Sequence, residues 1–105
     1  MLGSKIKKED AKRILSDVNP AKAFWLRDGR TLKNIGELSK ALKDMKNEVF
    51  EHHVNKDKND FANWIRDVQQ DKELADQLCK VKSKPTVEKM IHDRISQLIS
   101  IIKKK

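Results

Sequence analysis

Apolar side chains return at helical spacing through most of this chain. Ala11, Ile14, Leu15 and Val18 stand at i, i+3, i+4 and i+7, and Phe61, Trp64, Ile65 and Val68 repeat the interval. Ile35, Leu38, Leu42 and Met45 make a further stripe on one helical face. Each stripe has to be buried against another element, so the pattern predicts a set of short helices sharing a core.

The first helix is predicted over about 7–18, with Glu9 and Asp10 where the helix dipole favours negative charge, and Asn19-Pro20 stops it. The period then changes. Phe24 and Leu26 point one way, Trp25 and Arg27 the other, and Asp28-Gly29 supplies a tight turn before a return strand over 30–33. This hairpin, about 23–33, is the only β signal, and two strands alone are marginal in water unless helices cover one face.

Asn34, with Glu37 three residues on, caps the next helix. Asn47 is read as the cap of a shorter helix carrying Val49, Phe50, His53 and Val54, which ends in the polar stretch 55–58. Asn59 or Asp60 caps a fourth helix. Asp71 begins a fifth, with Leu74, Leu78 and Val81 inward, and the basic run 80–84 with Pro85 separates it from a last helix over 86–102. The fold class expected is α+β, predominantly α-helical, with about six short helices and one β-hairpin in a single domain over 1–105.

The last helix is apolar over an unusually broad face: Val87, Ile91, Ile95, Leu98 and Ile102 form the stripe, and Met90, Ile99 and Ile101 widen it. Two readings stand. Either the helix crosses the domain as a central buried element, or Ile91, Ile95, Leu98, Ile99 and Ile102 pair with a protein partner or a second copy of the chain.

Counting removes several classes. At 105 residues there is room for one ordinary domain. The single cysteine, Cys79, cannot form an internal disulfide, which fits a reducing cytoplasmic setting, and it is read as a small buried apolar residue. The most apolar stretch, Ile95 to Ile102, is interrupted by Ser96, Gln97 and Ser100 and falls short of the roughly 20 residues of a membrane span. Lysines followed directly by Glu9 and Asp10, with no apolar run, do not suit a secretory signal.

Catalytic and metal signatures are not expected. His52 and His53 are adjacent, so on a helix they diverge by about 100 degrees and do not share an ion, and His92 is remote in sequence. Neither a Gly-x-Ser-x-Gly elbow nor a Gly-rich phosphate loop is present. The chain is therefore read as non-catalytic, without metal or cofactor. His53, Asn59 and Asp60 are read as a polar lock at the start of the fourth helix, beside Phe61 and Trp64. The functional alternative gathers His53, Asp60 and Arg66 around a small polar pocket.

Charge is the strongest pointer to a partner. There are 24 Lys and Arg against 16 Asp and Glu, a formal +8. Lys5, Lys7, Lys8, Lys12 and Arg13 against Glu9 and Asp10 give the first thirteen residues a net +3, and Lys103, Lys104 and Lys105 give another +3. Lys80, Lys82 and Lys84 form a local cluster, and Arg27, Arg30 and Lys33 flank the hairpin turn. Of the 24 basic residues 19 are lysine, which suits diffuse attraction to phosphate better than bidentate reading of bases. Trp64 belongs to a core stripe, leaving Trp25 as the aromatic candidate for stacking.

Phe24-Trp-Leu-Arg-Asp-Gly-Arg-Thr-Leu, the helix from Ile35 to Met45, His53, Asn59-Asp-Phe-Ala-Asn-Trp-Ile, and Glu73-Leu-Ala together resemble a family of small prokaryotic, largely archaeal domains of unknown function. The resemblance spans about 23–82 and leaves out the basic N-terminal end and the Ile-rich last helix. It implies one domain and a cytoplasmic setting and transfers no activity. The function expected is a small basic binding module that associates with nucleic acid or ribonucleoprotein through the phosphate backbone; the alternative is a protein-interaction module built on the last helix.

Overall fold

The computed structural model describes residues 6–104. Among these residues, six helices and two small antiparallel hairpins make a predominantly helical α+β fold. Helix α1 (Lys8–Leu15) ends three residues before the expected Val18. Ser16 turns the backbone extended, and the Val18 N–H donates to the Lys33 carbonyl at 2.7 Å, tying the exit of α1 to the hairpin instead of to its own helix. A 3-10 turn at Pro20–Lys22 follows, capped by Asn19 Oδ1 on the Ala21 N–H.

Strands β1 (Phe24–Trp25) and β2 (Thr31–Leu32) pair as Phe24 with Leu32 and Trp25 with Thr31. Gly29, at φ 98°, takes the left-handed position that closes the turn, which an L side chain would strain. Helix α2 (Ile35–Asp44) starts as expected, with Asn34 Oδ1 accepting the Glu37 N–H at 2.8 Å, while the Glu37 carboxylate accepts the Lys33 N–H at 2.7 Å.

Helix α3 (Asn47–His53) makes Asn47 its first helical residue, with no side-chain cap. The segment expected to be only a polar stretch is a second hairpin, β3 (Val54–Asn55) with β4 (Lys58–Asn59). Its turn is made locally, by Asn55 Oδ1 accepting the Asp57 N–H at 3.0 Å. Asn59 caps α4 (Asp60–Trp64), which widens into a π-helical turn at Ile65–Gln69 and closes with Gln70 left-handed at φ 62°. Helix α5 (Lys72–Leu78) is capped by Asp71.

Helix α6 (Lys84–Lys103) is 20 residues long, about 30 Å. Pro85 lies inside its first turn instead of ahead of it, because a proline there gives up an N–H that the helix does not use. Val87, Ile91, Arg94 and Leu98 are buried along one face, where α6 packs on α1, α2 and α5. The reading of Ile91 and Leu98 as a partner face is corrected: both are fully buried inside the chain. Ile95 and Ile102 pack half-buried against the same core, and only Ile99 stays exposed.

Around the first hairpin the core is aromatic. Phe24 lies 5.0 Å from Phe61 and 5.5 Å from Trp64, ring centre to ring centre, and the Trp64 indole N–H donates to the Lys22 carbonyl at 2.8 Å. Helical cover on this side thus supplies what two short strands lack alone. No helix among the described residues is long and apolar enough to cross a membrane.

Candidate nucleic-acid interface

Behind the hairpin stands His53, at the end of α3 and 4% exposed. Its ring sits 5.0 Å from that of Phe24 and 5.4 Å from that of Phe61. Nε2 accepts the Arg27 backbone N–H at 3.0 Å, so the ring proton belongs on Nδ1, which donates to Asp60 Oδ2 at 3.0 Å. Both nitrogens are thereby used in holding the hairpin turn to the start of α4.

Asp60 Oδ2 also accepts from Lys58 Nζ at 3.0 Å. Burial pushes the Asp60 carboxyl up, but the hydrogen bonds from His53 and Lys58 outweigh it and hold the group below the ordinary carboxylate range. Asn59 completes the lock: Oδ1 accepts the Ala62 N–H at 3.0 Å, and Nδ2 donates to the Leu78 carbonyl at 3.0 Å, fastening α4 to the end of α5. The structure thus brings His53, Asn59 and Asp60 together. It does not bring in Arg66, whose guanidinium turns to Asn63 Oδ1 at 3.1 and 3.3 Å on its own helical turn.

On the outer side of the hairpin Trp25 is 72% exposed, while its neighbours Phe24, Leu26 and Leu32 point inward and are buried. Lys22, Arg27 and Lys33 are exposed around it and make no ion pair among the described residues. Arg30 is different. It meets Asp28 at 2.8 Å and Asp44 at 3.0 Å, and its hydrogen bonds hold the Asp28 carboxyl below its ordinary value. Arg30 is thereby taken up by the two acids nearest the turn, which keep one negative charge between them, and is not itself available.

At the basic ends the candidates divide in the same way. Lys7, Lys8, Lys12, Lys80, Lys82, Lys103 and Lys104 are exposed and carry no ion pair among the described residues. Arg13 is spent on Asp10, at 3.7 Å, and on the Gln69 carbonyl, and Lys84 Nζ donates to the Met45 carbonyl. Lys5 and Lys105 lie outside the described residues. Cys79, expected to be buried, is exposed at the end of α5, one position past the inward Leu78, and its thiol donates to the Asp76 carbonyl at 3.1 Å.

One polar site was missed from the sequence. Arg94, 8% exposed, sits in the apolar stripe of α6 between Ile91 and Leu98 and pairs with the 3% exposed Asp71. The signal was its position: a charged residue at i+3 from one buried isoleucine and i−4 from a buried leucine needs an internal partner.

Comparison with known proteins finds no matching family model, no similar curated protein and no similar solved structure.

Proposed function

We propose that this chain is a non-catalytic, cytoplasmic binding module that associates with the phosphate backbone of nucleic acid, free or within ribonucleoprotein. The observation carrying this reading is the sorting of its cations. Arg13, Arg30, Lys84 and Arg94 are consumed by internal partners. The lysines of α1, of the α5–α6 connection and of the end of α6 are exposed and uncompensated among the described residues. Compact ammonium groups of this kind attract phosphate without reading sequence. In this reading the packed helices and hairpins are the scaffold that carries these lysines.

Removing residues 1–13 would be a poor test, because Ala11 in α1 is fully buried against the rest of the fold. Replacing Lys7, Lys8, Lys12, Lys103, Lys104 and Lys105 with glutamine keeps the packing and removes the charge. Fluorescence anisotropy with a labelled duplex in low salt should then show at least a tenfold weaker complex. Equal affinity for the two proteins would overturn the proposal.

A further inference from the structure

We infer that the outer face of the first hairpin is a stacking platform for an unpaired base, so that the module prefers single-stranded nucleic acid to duplex. This rests on the nucleic-acid reading above and assigns it a substrate class. Trp25 presents its indole at 72% exposure, in a chain whose other tryptophan is 8% exposed. Exposing so large an apolar ring costs free energy unless something covers it.

The platform is held still from behind. Phe24, the preceding residue, is locked between the rings of His53, Phe61 and Trp64. Upstream, the Lys22 carbonyl accepts the Trp64 indole N–H, and downstream the Arg27 N–H is held by His53. The backbone on both sides of Trp25 is therefore anchored, so the position from which the indole is presented is fixed before binding.

Charge complementarity selects the occupant. Lys22, in the turn just before the first strand, and Arg27 and Lys33, on the hairpin, stand exposed, and their three positive charges outweigh the one negative charge that Arg30 leaves on Asp28 and Asp44. A π face beside uncompensated cations suits a nucleobase with its phosphates, whereas an apolar peptide would leave the cations unanswered. Bases in a duplex are already stacked on one another and offer their faces only at the ends, which leaves single strands.

The test compares a labelled fifteen-nucleotide thymidine strand with a duplex of the same length by anisotropy, using the full chain and its Trp25→Ala and Trp25→Phe variants. A ligand bound by charge alone favours the duplex, which carries the denser charge, so a tighter single-strand complex is diagnostic. The expected result is tighter binding of the strand, a loss of about tenfold in Trp25→Ala, and recovery of most of that loss in Trp25→Phe. Unchanged single-strand affinity in Trp25→Ala, or duplex binding at least as tight as strand binding, would overturn this inference and leave the phosphate-binding proposal standing. No binding of either nucleic acid in low salt would overturn both and turn attention to Trp25 as a protein-docking residue.

Discussion

Arg94 and Asp71 meet as a buried two-pronged ion pair, with Nε 2.8 Å from Oδ2 and Nη2 2.7 Å from Oδ1. Asp71 Oδ1 also accepts the Leu74 N–H, so one carboxylate both caps α5 and anchors α6. Burial alone would pull the Arg94 guanidinium down, and Asp71 and Glu73 more than offset it. Removing one partner of such a pair strands the other without water. Arg94→Met is expected to destabilise by about 3–5 kcal/mol in urea unfolding. Adding Asp71→Asn, which keeps a capping oxygen but removes the stranded charge, should restore about half of that loss.

The His53 lock predicts a structural phenotype. His53→Ala leaves a cavity beside Phe24 and Phe61, deprives the Arg27 N–H of its partner and leaves the Asp60 carboxylate with Lys58 alone. A loss of about 2–3 kcal/mol is expected. An unchanged melting temperature combined with abolished nucleic-acid binding would show that His53 contacts ligand and not the hairpin.

Acid should weaken the fold through Asp60. Burial raises its carboxyl, but the His53 and Lys58 hydrogen bonds prevail and leave it lower in the folded chain than in the unfolded one. The unfolded chain therefore binds more protons, and stability rises with pH through this window. The contribution is complete above the unfolded value of about 4 and is lost as pH falls through the folded one. Urea midpoints between pH 2.5 and 7 should fall on the acid side, with a shallower fall in Asp60→Asn.

Much of this architecture was legible from short-range pattern, because the forces involved act over one or two turns. The stripes through Ile35, Leu38 and Leu42 and through Phe61, Trp64 and Ile65 are buried as their spacing requires. Asp28-Gly29 does mark the turn, but only Gly29 takes the positive φ expected of the pair, and the loop closes through the Leu26 N–H on the Arg30 carbonyl. The second hairpin was hidden because Val54 continues the spacing of Val49, Phe50 and His53, and what ends α3 is the Asx turn of Asn55 and Asp57. The polar lock was readable at Asn59 and Asp60. Its far end, the Arg27 N–H, is 26 residues from His53, and Arg94 lies 23 residues from Asp71. Neither partner is marked by local spacing.

Gln69 offers a stabilising substitution. It is 2% exposed, and neither polar atom of its side-chain amide has a hydrogen-bond partner among the described residues. Nothing in the structure explains an amide at this position. Gln69→Met keeps the length, leaves the backbone carbonyl that Arg13 uses, and should raise stability by about 1–2 kcal/mol in urea titration. A destabilised variant would show that the amide has a partner of its own.

The central claim, that exposed lysines bind the phosphate backbone, is tested most directly by the salt dependence of duplex affinity for the full chain. With five or six phosphates neutralised, the logarithm of the association constant should fall against the logarithm of salt with a slope of about −5, a loss of roughly a thousandfold between 50 and 200 mM. A slope near zero, or no measurable complex at 50 mM, would contradict it.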